Sequence, residues 1–180
     1  TPGAVICHLK GKSQAIISAE RTALNFLQTL SATATQTKKL VNMIKHTNAK
    51  LLDTRKTIPN LRYAQKHAVK CGGGVNHRMG LFDCVLLKEN HILSIGSLEK
   101  SIEKALLEFP NKPVIVEVES FDQLKRALSI KGINRILCDN FSPQELLEAV
   151  TMAKGIYSLE TSGNINEKNI IEYEIGRAHV

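Results

Sequence analysis

From Lys50 onward, short apolar runs alternate with amphipathic stretches, a pattern that few architectures accept. The runs fall at residues 51–52, 85–87, 114–118, 135–138 and 156–159. Between them, Leu98, Ile102, Ala105, Leu106 and Phe109 recur at the helical period, and Pro110 ends that helix. Ser142-Pro143-Gln144-Glu145 combines a Ser N-cap, Pro at the first helical position and Glu at the third. Ser120 with Gln123 makes a similar box ahead of Leu124 and Leu128. Regular strand–helix alternation predicts an α/β fold with a parallel sheet. The period alone does not separate a barrel from an open doubly wound sheet.

Upstream, Leu27, Leu30, Ala34, Val41 and Ile44 step by three, four and seven residues, which predicts one long helix over residues 18–47. Residues 4–9 and 15–17 read as short strands around a turn at Gly11.

Each predicted strand runs directly into polar or charged residues. Asp53-Thr54-Arg55-Lys56 follow the first and Lys88-Glu89-Asn90 the second, while Glu117 and Glu119 close the third. Asp139-Asn140 follow the fourth, and Glu160-Thr161-Ser162-Gly163 the fifth. In α/β barrels the carboxyl ends of the strands form the active-site face. This pattern therefore aims cations (Arg55, Lys56, Arg78, Lys88, with His77 beside them) and carboxylates (Glu117, Glu119, Asp139) at one mouth.

The mixture narrows the chemistry. A net charge of +7 could serve nucleic acid, but aromatic residues make up only 4% of the chain and no RNA- or DNA-binding motif is present. Carboxylates in the mouth would also repel phosphates of such a partner. The four cysteines (Cys7, Cys71, Cys84, Cys138) lack zinc spacing and read as reduced thiols of a cytoplasmic protein. His77 has no near partner in metal-ligand spacing, so no direct metal ligand is assigned. No apolar run approaches the roughly 18 residues of a membrane span.

A sugar phosphate carrying pyrophosphate, together with a second acidic substrate, suits the mixed set. Guanidinium forks grip carboxylates at two points, and lysine is a compact charge for phosphate. Carboxylates can hold ribose hydroxyls and orient Mg²⁺, which keeps much of its water. Ser162-Gly163-Asn164-Ile165, with Asn166 as a helix N-cap, would offer backbone N–H groups to a phosphate. Blander readings stand beside these: Arg55 and Lys56 as a solvated loop pair, and His77 as a structural turn histidine. Glu119 rivals Glu117, since alternation puts both on one strand face, and His46 and His67 read as surface residues.

The blocks TRKT (54–57), GGGVNHR (72–78) and KENH (88–91) closely resemble the heart of the quinolinate phosphoribosyltransferase family, decarboxylating enzymes of NAD biosynthesis. EVES (117–120) and ERTALNFLQTL (20–30) match as well. The resemblance implies an incomplete, open α/β barrel with parallel strands, preceded by a remnant of an N-terminal α/β sandwich domain. It implies condensation of quinolinate with phosphoribosyl pyrophosphate to nicotinate mononucleotide, pyrophosphate and CO2. Arg55, His77, Arg78 and Lys88 would surround the quinolinate carboxylates, Lys56 would face phosphoribosyl pyrophosphate, and Thr54 would support the turn. Glu117 and Asp139 would hold the ribose and Mg²⁺, and Ser162, Gly163 and Asn164 the 5′-phosphate. Lys88, Glu117 and Asp139 are the residues expected to carry catalysis. Arg21 would reach the active site of a neighbouring subunit, which implies a homodimer with shared sites, or a larger oligomer built from it.

The family is longer at both ends. The expected division is residues 1–22 as a remnant of the N-terminal domain, 23–173 as the phosphoribosyltransferase barrel lacking its C-terminal part, and 174–180 as a non-native tail. One back-translation of those last residues, GAGATCGGAAGAGCACACGTC, resembles a common short-read sequencing adapter. The polypeptide as written is expected to be poorly soluble and catalytically weak or dead. Two rivals remain open: a nicotinate phosphoribosyltransferase or molybdenum-transport-associated paralogue of the same fold, and a non-catalytic basic module for RNA or anionic surfaces.

Overall fold

The computed structural model describes residues 2–173, so the expected tail at 174–180 lies outside the described residues. The chain opens on α1 (Ser13–Ile44), a helix of 32 residues with no glycine or proline to interrupt it. It starts earlier than expected. Residues 15–17 lie in its first turns, because a three-residue apolar run fits either period and the longer helical pattern absorbs it. Residues 4–9 form no strand either: Val5, Ile6 and Leu9 are exposed, and no neighbouring strand pairs with them among the described residues. An isolated strand has nothing to hold it in water.

The C-terminal half of α1 packs on α2 (Arg62–Cys71), and the glycines after α2 permit the approach. A Cβ on Gly72 would sit 2.5 Å from the Ala34 carbonyl oxygen and 2.6 Å from Thr37 Cβ. Gly73 takes φ +92°, a left-handed conformation that side chains resist. We expect Gly72→Ala to destabilise the fold by about 1–3 kcal/mol through overpacking against backbone that cannot yield. Urea denaturation followed by circular dichroism measures this, and an unchanged midpoint would count against the contact.

The first expected strand shrinks to a single parallel bridge, Leu52 to Val75. Val75 lies between Gly74 and Asn76, and Asp53 turns away into polar contacts, so the ladder has nowhere to extend. The remaining four strands form as β1 (Val85–Leu87), β2 (Val114–Val118), β3 (Arg135–Asp139) and β4 (Ser158–Ser162). They are parallel and lie in the order β1-β2-β3-β4. Connecting them are α3 (Glu89–Ile95), α4 (Leu98–Glu108), α5 (Phe121–Leu128) and α6 (Pro143–Ala153), with α7 (Ile170–Tyr173) after β4. This is the expected α/β fold, with its parallel sheet open as in an incomplete barrel.

Strand β4 begins and ends later than its apolar run suggests. Ile156 is exposed in the turn after Gly155, and pairing with β3 fixes the strand from Arg135–Ser158 to Asp139–Ser162. The helix starts follow the sequence: Ser97, Ser120 and Ser142 each cap a helix, Ser142 in a full box with Glu145.

Alternation along the strands sorts two faces. Val114, Val116, Val118, Ile136, Cys138 and Leu159 pack against α4, α5 and α6 in the main core. Cys84 is also buried, and burial pushes the Cys138 thiol up to about 12, as befits an inert core thiol. On the opposite face stand Glu117, Leu137, Asp139, Glu160 and Ser162, all lining one cleft.

Candidate active site

The cleft, of about 570 Å³, opens at the carboxyl ends of the strands. That volume suits a small organic ligand. Thr54, Arg55, Lys56, His77, Arg78, Lys88, Glu117, Asp139, Ser162, Gly163 and Asn164 all line it, so the candidate set converges except for Arg21. Arg21 stands on the exposed first part of α1, outside this cleft. Glu119 follows the end of β2 and is exposed, so Glu117 alone of that pair faces the cleft.

At the strand ends, adjacent side chains pair across the sheet. Leu87 is level with Val116, which sets the next residues side by side, and Lys88 Nζ donates to Glu117 Oε2 at 2.6 Å. Asp139 is level with Ser162, whose Oγ donates to Asp139 Oδ1 at 2.6 Å. Asn140 Nδ2 donates to the other oxygen of Asp139 at 2.9 Å.

The loop after β4 is braced by the loop after β3. Gly163 has φ +99°, and a Cβ there would lie 2.1 Å from Asn140 Oδ1. Asn164 and Asn140 also take positive φ, which asparagine tolerates better than most residues. The backbone N–H groups of Gly163, Asn164 and Ile165 donate to nothing among the described residues. Such a run of free donors makes an anion cradle. Asn166 caps a turn rather than the helix itself: its Oδ1 accepts from Lys168 N at 2.9 Å, and α7 begins at Ile170. Glu167 in that turn is held by Gln36 and Lys39 of α1.

The cationic wall comes from two loops joined beneath by a buried ion pair. Lys66, 1% exposed, donates to Asp53 Oδ1 and to the His77 carbonyl oxygen. Asp53 also accepts from His77 N at 2.9 Å and from the Asn76 side chain. Arg62 grips the Arg55 and Met79 carbonyl oxygens and Thr57 Oγ1, while Thr54 Oγ1 accepts from Lys56 N at 3.0 Å. Arg78 is 9% exposed and donates to the Cys84 carbonyl oxygen. Burial, and next the charge of Arg55, lower its pKa from the usual guanidinium value.

Sequence reasoning passed over three residues here. Lys66 sits in an ordinary amphipathic helix, and nothing local marks it as buried. Arg135 looks like a strand-start cation. Glu160 was legible only as part of a polar strand end, yet it is 2% exposed, accepts from Arg135 Nη1 and lies 3.0 Å from His77 Nε2. Its parity with Ser162 was the usable signal. Thr161 has the opposite parity, level with Cys138, and its buried hydroxyl has no hydrogen-bond partner among the described residues.

A metal would find carboxylates but no cage. No group of three or more His, Cys, Asp or Glu residues able to hold an ion occurs among the described residues. Glu117 and Asp139 suit a Mg²⁺ that keeps most of its ligands as water and ligand oxygen. No helix among the described residues is long and apolar enough to cross a membrane.

Residues 33–177 match the family model for the quinolinate phosphoribosyl transferase C-terminal domain. A probable nicotinate-nucleotide pyrophosphorylase (carboxylating) of Bacillus subtilis is 37% identical over 93% of this chain and 58% of its own length. A protein of the same name from Archaeoglobus fulgidus is 39% identical over 96% of this chain and 68% of its own. The solved nicotinate-nucleotide pyrophosphorylase of Francisella tularensis is 48% identical with a TM-score of 0.88, over 93% of this chain and 61% of that one. This chain thus spans about three-fifths of several of the proteins it resembles.

Proposed function

The chain belongs to the quinolinate phosphoribosyltransferase family, and on that ground we propose that it carries the catalytic cleft of an enzyme joining quinolinate to phosphoribosyl pyrophosphate. The products are nicotinate mononucleotide, pyrophosphate and CO2. The observation that carries this reading is the cleft itself, which gathers Arg55, Lys56, Arg78 and Lys88 around Glu117 and Asp139. Cations alone would suit any anion. Cations beside inward carboxylates suit a phosphorylated sugar and an aromatic acid held together.

In this reading Arg55, His77, Arg78 and Lys88 hold the quinolinate carboxylates and set the ring nitrogen against C1 of the ribose. Ser162 and the free N–H groups of Gly163, Asn164 and Ile165 hold the 5′-phosphate. Lys56 faces the pyrophosphate and balances its charge as the C1–O bond breaks. Glu117 and Asp139 orient the ribose hydroxyls and stabilise the positive charge that develops on the sugar. Mg²⁺, accompanying the pyrophosphate near Glu117 and Asp139, would neutralise the leaving group. The ring nitrogen then bonds C1, becomes positively charged, and so draws in the electron pair released when CO2 leaves the adjacent carbon. No covalent enzyme intermediate is required.

The site is completed, in the same proposal, by Arg21 from a neighbouring copy in a homodimer. Its exposure and its distance from the cleft of its own chain favour that use. The free cysteines agree with action in the cytoplasm.

Calorimetry with quinolinate and nicotinate tests the reading. We expect quinolinate to bind at least tenfold more tightly, since its second carboxylate meets a charge-assisted contact worth about 1.5–3 kcal/mol. Equal binding, or preference for nicotinate, would reverse the substrate assignment. Binding that ignores both acids and falls steeply with salt would point to a general anion surface instead.

A further inference from the structure

Glu160 is a buried carboxylate that the mechanism above does not use. It lies on the inner face of β4, and its two oxygens are divided between two donors. Oε1 accepts from Arg135 Nη1, and Oε2 faces His77 Nε2 at 3.0 Å. The His77 backbone is fixed independently, its N–H donating to Asp53 and its carbonyl oxygen accepting from Lys66. The imidazole is therefore held at both ends, by main chain and by ring.

We propose that Glu160 is a positioning residue that commits His77 Nε2 as a proton donor and leaves Nδ1 as the ring nitrogen presented to the cleft. A carboxylate paired with arginine only accepts, so Nε2 must carry hydrogen. Nδ1 has no hydrogen-bond partner among the described residues, and His77 lines the cleft. An acidic ligand can then be met by this ring only through Nδ1. A ligand carboxylate there would require hydrogen on Nδ1 as well, with the ring lying between that carboxylate and Glu160. Arg135, at the start of β3, holds the other oxygen of Glu160 and offsets its charge in the cleft wall, where it would otherwise repel the same ligand.

This extends the proposed function by assigning how quinolinate meets one of its binding residues, and it rests on that reading for the identity of the ligand. The tautomer does not depend on it. Long-range ¹H–¹⁵N NMR of the ligand-free protein, with His77→Asn to assign the signals, reads which nitrogen carries hydrogen in the neutral ring. We expect Nε2–H. Glu160→Gln should disturb this, because Arg135 claims the single amide oxygen and turns the NH2 toward His77, favouring the opposite tautomer. Quinolinate should then bind about tenfold more weakly, because a neutral Nδ1–H would meet its carboxylate in place of a ring charged between two carboxylates, with Glu160→Asp recovering part of the loss.

An Nδ1–H ring in the unaltered protein would overturn the proposal without any variant. So would a folded Glu160→Gln protein with unchanged tautomer and unchanged quinolinate affinity. If the unaltered protein shows Nε2–H but binds no quinolinate, the role of Glu160 stands and the substrate assignment falls.

Discussion

Replacing Lys66 by methionine is expected to cost about 3–5 kcal/mol of stability, the usual penalty for leaving one member of a buried ion pair uncompensated. Methionine nearly preserves the volume of the side chain, so the loss comes from charge rather than from a cavity. Asp53 would be left with the Asn76 amide and the His77 N–H as donors and no cation beside it. Small domains are stable by roughly 5–15 kcal/mol, so this one change would remove a large share of the total. Urea unfolding of the Lys66→Met and Asp53→Asn variants and their combination measures it. The combined loss should fall well short of the sum, because the second change removes the charge stranded by the first. An unfolding free energy for Lys66→Met within about 0.5 kcal/mol of the unaltered protein, a margin typical of surface substitutions, would show that the pair holds nothing. Quinolinate affinity should fall with stability, since the pair ties together the loops bearing Arg55 and His77.

The contrast between Lys66 and Lys88 shows what the sequence could reveal. Lys88 directly follows a three-residue apolar run, so strand direction alone puts it at the mouth of a parallel sheet. The same rule located Glu117, Asp139 and Ser162, while serine caps located α5 and α6 and the helical period located α4. These signals are local, carried by a few neighbouring residues. Lys66 is buried only because Asp53, 13 residues upstream, folds back over α2. Glu160 faces an imidazole only because His77 arrives from 83 residues away. Contacts of that range leave no periodic trace. The misplaced strands near the start fail for a related reason: residues 4–9 have the composition of a strand, but a strand exists through its neighbours. The register of β4 likewise came from β3, not from its own apolar run.

Glu117→Gln should lower kcat about 10²–10³-fold with little change in KM, the loss usual when one preorganised electrostatic group is removed from a reacting centre. Glu117 is 8% exposed at the end of β2, where water screens little of its charge. Glutamine keeps the shape and can still accept from Lys88 through its amide oxygen, so the fold and the quinolinate contacts should survive. What would disappear, in the proposed reaction, is negative charge beside a ribose that becomes positive only as the C1–O bond breaks. An effect confined to kcat would therefore separate this role from ground-state binding. Lys88 would keep its hydrogen bond but lose its charge partner and so hold an acidic ligand more tightly, which makes product release the step to watch for a compensating change. Single-turnover measurements separate the two steps. Turnover within threefold of the unaltered protein would remove Glu117 from the reacting centre, whereas a loss carried wholly by KM would make it a ribose anchor. Glu117→Asp, which keeps the charge but withdraws it by one methylene, should fall between glutamine and the native residue if charge at the right distance is what matters.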